Sequence, residues 1–344
     1  MTPLHDAAFR HEVKAHLARY AVADDAAAWR TVFSTMAIFG CSLLAAGGLT
    51  LAAFSAAERG EVTQALALAA AALAVSALLV GTSVRVFSLH HDLCHQALFS
   101  TPGKNRLAAT LLGTLVSGSP SVWTREHNRH HRDSNNLDRE QDGQSASWTL
   151  QRYQRATPSQ RWTYYLLNQR LVLFGLLPPL YFLVFMRVRA RWYENALFLA
   201  YALGLWKLGL LGFFAACVVP GAWFGFFVFH AHHTFDGAYR RHTAEWDFFD
   251  SAMRGSSILL LPEGRWLGRA LRWFTINLGV HALHHLNPGV PGERLEEALK
   301  ARPELFEAVT RVTVRDALRT TRYALFDEAT GNFEPLARHR PWRA

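Results

Sequence analysis

The chain has 344 residues, half of them apolar and only 18% charged, with 11 Trp, 23 Phe and a formal net charge of +9. Soluble domains average about a quarter charged residues, so this composition argues for a membrane protein whose positive charge lies in cytoplasmic loops. Three cysteines (Cys41, Cys94, Cys217) without a C-x2-C pair exclude an iron–sulfur ligand set, a zinc ribbon and a disulfide framework, and no nucleic-acid motif accompanies the charge, so no nucleic-acid partner is expected.

Residues 1–30 are polar, mixed in charge and without a signal-peptide core. Thr31 to Phe54 is a charge-free run of 24 residues, about 36 Å of helix. Val62 to Val84 is a second such run, and Ala56, Glu58, Arg59 and Gly60 mark the turn of a hairpin. Arg10, Lys14, Arg19, Arg30 and Arg85 then share one side, which the positive-inside rule makes cytoplasmic. Leu107 to Val122 is short and broken by Gly113, Gly118 and Pro120, so it is expected to be re-entrant or interfacial. Residues 124–162 are polar and expected outside the membrane.

Leu166 to Met186 is long enough to cross but holds Pro178-Pro179 and ends in Arg187, Arg189 and Arg191. A shallow helix pair turning near the prolines is the favoured reading, with Trp192–Trp206 and Leu208–Phe229 as a second hairpin. The competing reading has one crossing at 166–186 and another at 208–229. After Arg240 the chain is soluble in character, with amphipathic surface helices at Glu293–Lys300 and Pro303–Arg319. The predicted fold is an all-α integral membrane protein of about four transmembrane helices with short re-entrant or interfacial helices. Residues 1–344 are read as one unit: 1–30 a cytoplasmic segment, 31–230 a membrane region, 231–344 a cytoplasmic helical cap.

Histidine carries the chemistry. His91-Asp92-Leu93-Cys94-His95 is an H-x3-H pair, and His127-Asn128-Arg129-His130-His131 is an H-x2-H-H triplet. His281-Ala282-Leu283-His284-His285 repeats the triplet. Residues three or four apart share a helix face, so each box can aim its rings at one point. One such box is a weak signal, because surface His pairs arise by chance. Three boxes, each abutting an apolar stretch, are a specific one. Eight imidazoles exceed the needs of one four-coordinate zinc and suit two metal ions. Near the end of the last apolar run, His230 and His233 share a face and compete to add a ninth ring, with His232 between them. His90 faces away from His95 and is read as interfacial or as supporting a ligand. His5, His11, His16 and His339 are read as solvated and His242 as a surface residue. Asp92, Glu126, Glu245 and Asp247 are the carboxylates placed to orient imidazole N–H groups.

Neutral imidazoles leave metals strongly Lewis acidic. If these are iron, dioxygen and an external reductant could be used to take hydrogen from an unactivated C–H bond, with the protein positioning the chain and excluding water. A long-tailed substrate entering from the lipid bilayer into a closed apolar tunnel explains the membrane, and Ala69 to Ala72 would let helices approach closely. A His-rich transporter or haem protein is a competing class, but it should carry ionisable residues within its spans, and these spans are almost free of them.

The pattern resembles the membrane fatty-acid desaturase superfamily, and most closely bacterial acyl-lipid desaturases of the omega type. Supporting stretches are Phe99 after box one, Trp123 four residues before His127, Trp246-Asp247-Phe248, Gly255-Ser256-Ser257, Trp273-Phe274, Asn277-Leu278-Gly279-Val280-His281 and His284-His285-Leu286-Asn287-Pro288 with Val290-Pro291. The resemblance covers roughly residues 60–300. It implies two Fe ions held by His91, His95, His127, His130, His131, His233, His281, His284 and His285. His233 enters by its place before Phe235 and Asp236. It also implies O2 as co-substrate, a fatty acyl substrate, and the cell inner membrane with the boxes facing the cytoplasm. No His-Pro-Gly-Gly cytochrome b5 signature is present, so electrons are expected from a separate donor, a ferredoxin-like small carrier with its reductase. Arg125, Arg129, Arg132 and Arg139, with Arg240 and Arg241, are the basic face expected to receive it. Desaturation is the first reading. Hydroxylation, or terminal-olefin-forming decarboxylation, is the alternative on the same scaffold.

Overall fold

The computed structural model describes residues 3–139, 147–262, 264 and 266–341; the expected polar stretch 124–162 thus includes residues 140–146, outside the described ones. The structure is mainly helical. Among the described residues, four helices are long and apolar enough to cross a membrane: Asp25–Glu58, Val62–Cys94, Leu171–Arg189 and Leu211–His233. Two compact units emerge, one of Ala23–Val122 with Tyr181–Phe224 and the other of Met1–Val22, Trp123–Leu180 and Gly225–Ala344.

In the first of these units, Asp24 starts the first long helix by accepting a hydrogen bond from Ala27 N at 2.9 Å. Gly60, at φ +77°, makes the turn into the second long helix, a conformation that glycine adopts without a Cβ penalty. Both helices run beyond the apolar segments seen in sequence, and the second carries box one in its last turn. Their outward residues, including Leu44, Leu51, Leu66 and Leu73, are exposed as lipid-facing side chains would be. The buried Arg85 donates through Nε to Thr35 Oγ1 across the hairpin at 3.1 Å. His90 is buried, with Nδ1 2.9 Å from the Ala109 carbonyl of helix Pro102–Leu115. A Cβ at Gly113 would stand 3.0 Å from the His90 ring. His90 is therefore part of helix packing.

The run Leu171–Arg189 corrects the favoured sequence reading. It does not turn at Pro178-Pro179. Two π-helical stretches, Leu171–Leu176 and Tyr181–Phe185, flank the prolines and widen the helix there. A wider turn accommodates the pyrrolidine rings and the missing N–H groups that would kink an ordinary α-helix. The competing assignment, with long helices near 166–186 and 208–229, describes the chain better. Helix Trp192–Lys207 has only 16 residues, short for a crossing.

In the other unit, helix Ala7–Ala18 packs Val13 and Leu17 into a core with Phe249, Met253, Ile258, Leu283, Leu295 and Phe306. His16, expected to be solvated, is buried there, with Nε2 2.8 Å from the Ala298 carbonyl and its ring against Tyr20 and Phe306. Burial is possible because the ring finds a polar partner. His339 is half-buried rather than fully solvated. Short strands interrupt the helical cap. Ser257–Leu260 pairs in parallel with Thr310–Thr313, and Tyr323–Asp327 lies between Trp148–Thr149 and Asn332–Pro335. The expected helix Glu293–Lys300 is present as Gly292–Ala301. The expected helix Pro303–Arg319 is instead a 3-10 turn, a strand and a short helix. Val309, Thr310, Val312 and Thr313 are β-branched and favour the extended pairing.

Candidate metal centre

Boxes two and three lie in one unit, and their rings converge. Helix Pro120–Asp133 carries His127, His130 and His131 on successive turns, and the short helix His281–Leu286 carries His281, His284 and His285. His131 Nε2 lies 3.1 Å from His127 Nε2 and 3.0 Å from His284 Nε2. A second group is built around His233: its Nε2 is 3.1 Å from His130 Nε2 and 3.0 Å from His281 Nε2, which is in turn 3.1 Å from His285 Nε2. In each group the nitrogens all lie within 4.8 Å of one another.

These contacts are hard to satisfy with protons alone. Of two neutral imidazole nitrogens facing each other only one can donate, and His131, His233 and His281 each face two others through the same nitrogen. A cation at the centre would satisfy every lone pair. Metal–imidazole bonds of about 2.1 Å meeting near right angles span about 3.0 Å between nitrogens, which is the separation seen here. The residues therefore fit a pair of first-row metal ions bound by imidazole. Burial, reinforced by neighbouring imidazoles, pushes His281 and His285 well below the ordinary histidine range. They are neutral at physiological pH, the form that binds metal.

Second contacts fix the rings. Trp123 stacks on His127 at 4.7 Å, one helical turn earlier. Phe229 lies 4.9 Å from His130 and 5.2 Å from His233, between centroids. Ser134 Oγ is 3.3 Å from the His130 ring nitrogens. The three histidines ending the last long helix separate by contact. His233 joins the cluster, while His230 Nε2 donates to the Thr320 carbonyl at 2.9 Å. His232 stacks on His281 at 4.5 Å with Nδ1 3.3 Å from Ser257 Oγ. Sequence reasoning did not single out His232, Ser257 or Ser134 for these roles. The only hint was the Gly255-Ser256-Ser257 stretch, whose serine reaches the histidine run only in three dimensions.

In the other unit, His91 and His95 occupy one face of the second long helix, with ring centroids 4.8 Å apart. Asp92 Oδ1 accepts from His91 Nδ1 at 3.1 Å, the orienting role expected of it. Two other carboxylates do not serve the rings. Asp247 pairs with Arg10 at 2.9 Å and caps helix Phe248–Arg254. Glu245 is exposed beside Arg241 at 3.9 Å. Glu245 lies in the turn that follows His242, and Asp247 at the start of the next helix. Glu126 is held by Arg125 and Arg129. Of the basic residues beside box two, Arg129, Arg132 and Arg139 surround Asp133 in an open surface depression. Arg240 is buried over the Phe333 and Phe326 rings, at 5.0 and 5.9 Å, so it leaves the expected basic face. His242 is exposed, as expected, and bridges Asp138 and Glu328.

The family model for fatty acid desaturases matches residues 65–315. A fatty acid desaturase of Bacillus subtilis (strain 168) is 29% identical over 280 residues, an alignment covering 76% of this chain and 76% of that protein.

Proposed function

Because this chain belongs to the fatty acid desaturase family, and is thus a membrane oxidoreductase of the desaturase type, we propose that it introduces a double bond into a fatty acyl chain with O2 and two irons. The observation that carries this reading is the pair of largely buried imidazole groups whose neighbouring nitrogens stand 3.0–3.1 Å apart. His127, His131 and His284 would contribute to one iron site and His130, His233, His281 and His285 to the other, with His91 and His95 kept as ligands on the family resemblance alone. Bound there, the irons would supply reductive use of O2 and removal of hydrogen from an unactivated C–H bond. The balance is two electrons and two protons from the acyl chain, and two electrons with two protons from a separate donor, giving an alkene and two waters per O2.

The protein's own groups then have definable work. Asp92 fixes the His91 tautomer by accepting at Nδ1. Trp123 and Phe229 pack the rings into one geometry and keep water from them. Arg129, Arg132 and Arg139 offer positive potential for an acidic ferredoxin-like carrier, which would be served by its own reductase. We place the boxes on the cytoplasmic side of the cell inner membrane, where such carriers are found. The acyl chain would enter from the bilayer into a closed apolar tunnel whose blind end fixes which bond reacts.

Lipid and hydrocarbon profiling of a simple host with and without the gene, under air and under nitrogen, tests the reading. New unsaturated acyl chains that require air are expected. Hydroxylated chains or terminal alkenes would assign the same scaffold to the alternative outcome, and an unchanged profile together with iron-free protein would overturn the di-iron reading.

A further inference from the structure

Helix Trp266–Thr275 is amphipathic in the opposite sense to a core helix. Its fully buried residues are the small Gly268 and Thr275. Gly268 sits so close to the chain before it that a Cβ would meet the Pro262 carbonyl at 1.8 Å. At 100° per residue, Trp266, Leu267, Ala270, Leu271, Trp273 and Phe274 fall on one broad face. Half of that face points outward, with Trp266 74% exposed, Leu267 45% and Trp273 39%, while Ala270, Leu271 and Phe274 are half-buried. Arg269, exposed, and Arg272, 3.7 Å from Glu296, flank it. Ten residues make about 15 Å of helix, too short to cross a bilayer.

We propose that this helix is an interfacial membrane anchor. Its tryptophan face lies at the boundary of headgroups and acyl chains, and Arg269 meets lipid phosphate. Exposed tryptophan and leucine on one side, arginine at the edge and a small-residue contact with the protein are the features of a helix lying in the membrane surface. The charge favours phosphate over the alternative of a second copy of this chain, whose same face would bring arginine against arginine. The helix ends six residues before His281, so its docking fixes the depth at which box three begins.

Photo-crosslinking tests this. The full-length protein would carry a benzophenone amino acid at position 266 or 273, and at the exposed position 245 as a control. It would be placed in nanodiscs of phosphatidylcholine alone or with a minority of phosphatidylglycerol. Lipid adducts at 266 and 273, absent at 245, are expected by mass spectrometry. With Arg269→Gln the yield in phosphatidylglycerol discs should fall at least twofold toward that in phosphatidylcholine. Absence of lipid adducts at 266 and 273, or a crosslinked dimer in their place, would overturn the proposal. The readout needs no turnover, so it stands apart from the assignment of the reaction.

Discussion

Replacing Gly255 by Ala should damage the support of box two from a distance. An added Cβ would lie 2.2 Å from Asn135 Nδ2 and 2.7 Å from the Ser251 carbonyl oxygen. Asn135 is buried at φ +62° directly after the box-two helix, and its Nδ2 donates to Ser251 Oγ at 3.0 Å. Ser251 Oγ in turn donates to the Ser134 carbonyl at 2.8 Å, and Trp246 Nε1 donates to the same carbonyl at 2.9 Å. The methyl group must displace Asn135, losing a buried hydrogen bond worth about 1 kcal/mol and adding overpacking of about 1–3 kcal/mol. The expected loss is about 2–4 kcal/mol. Because Ser134 also touches His130, iron content should fall as well. Thermal melts of purified protein in one detergent, with iron counted by mass spectrometry, measure both. Asn135→Gly in the Gly255→Ala background should recover part of the loss, since glycine accepts the positive φ and removes the struck side chain. Recovery is partial because the Ser251 carbonyl remains in the way. A Gly255→Ala protein that melts like the parent with full iron would refute the reasoning, as would two substitutions whose effects simply add.

His130→Ala and His284→Ala should each abolish turnover and lower bound iron while the protein still elutes as a folded particle; turnover retained in both would remove the metal assignment. The His242 bridge predicts a pH window. Hydrogen bonds to Asp138 and Glu328 raise His242 above the usual imidazole range, so its contribution is complete below that range and lost as pH rises through the raised value. Asp138 is held down to about 2, mainly by the Thr243 N–H and then His242, so its contribution is present above the usual carboxylate range and lost on acidification toward 2. Melting temperature should therefore fall as pH rises from the ordinary imidazole range into the alkaline range, and less so in Glu328→Gln; parallel curves would count against the bridge. Turnover with a subsaturating acidic electron carrier should drop as salt rises, because screening cuts the reach of exposed arginines to about 8 Å at physiological ionic strength; salt-independent turnover would assign those arginines to lipid headgroups alone.

The sequence by itself determined the class of the molecule and the atoms of its chemistry. Charge-free runs long enough to span a bilayer can only be helices there, and residues three and four apart on a helix must share a face, so the two His triplets were legible as clusters before any coordinates. What periodicity could not decide was which clusters meet, or which of three neighbouring histidines belongs to them. His230, His232 and His233 have the same chemistry, and only the Thr320 carbonyl, Ser257 and the His130–His281 pair, brought together from residues far apart in sequence, distinguish them. The proline pair at 178–179 misled for a local reason: proline removes a hydrogen bond, but the flanking π turns absorb the defect. Arg240 and His16 misled because their charge and polarity pointed to solvent, whereas the tertiary fold supplied two phenyl faces for one and a carbonyl for the other. Polar side chains are buried where partners arrive from distant segments, and that arrival is decided by the packing of the whole unit.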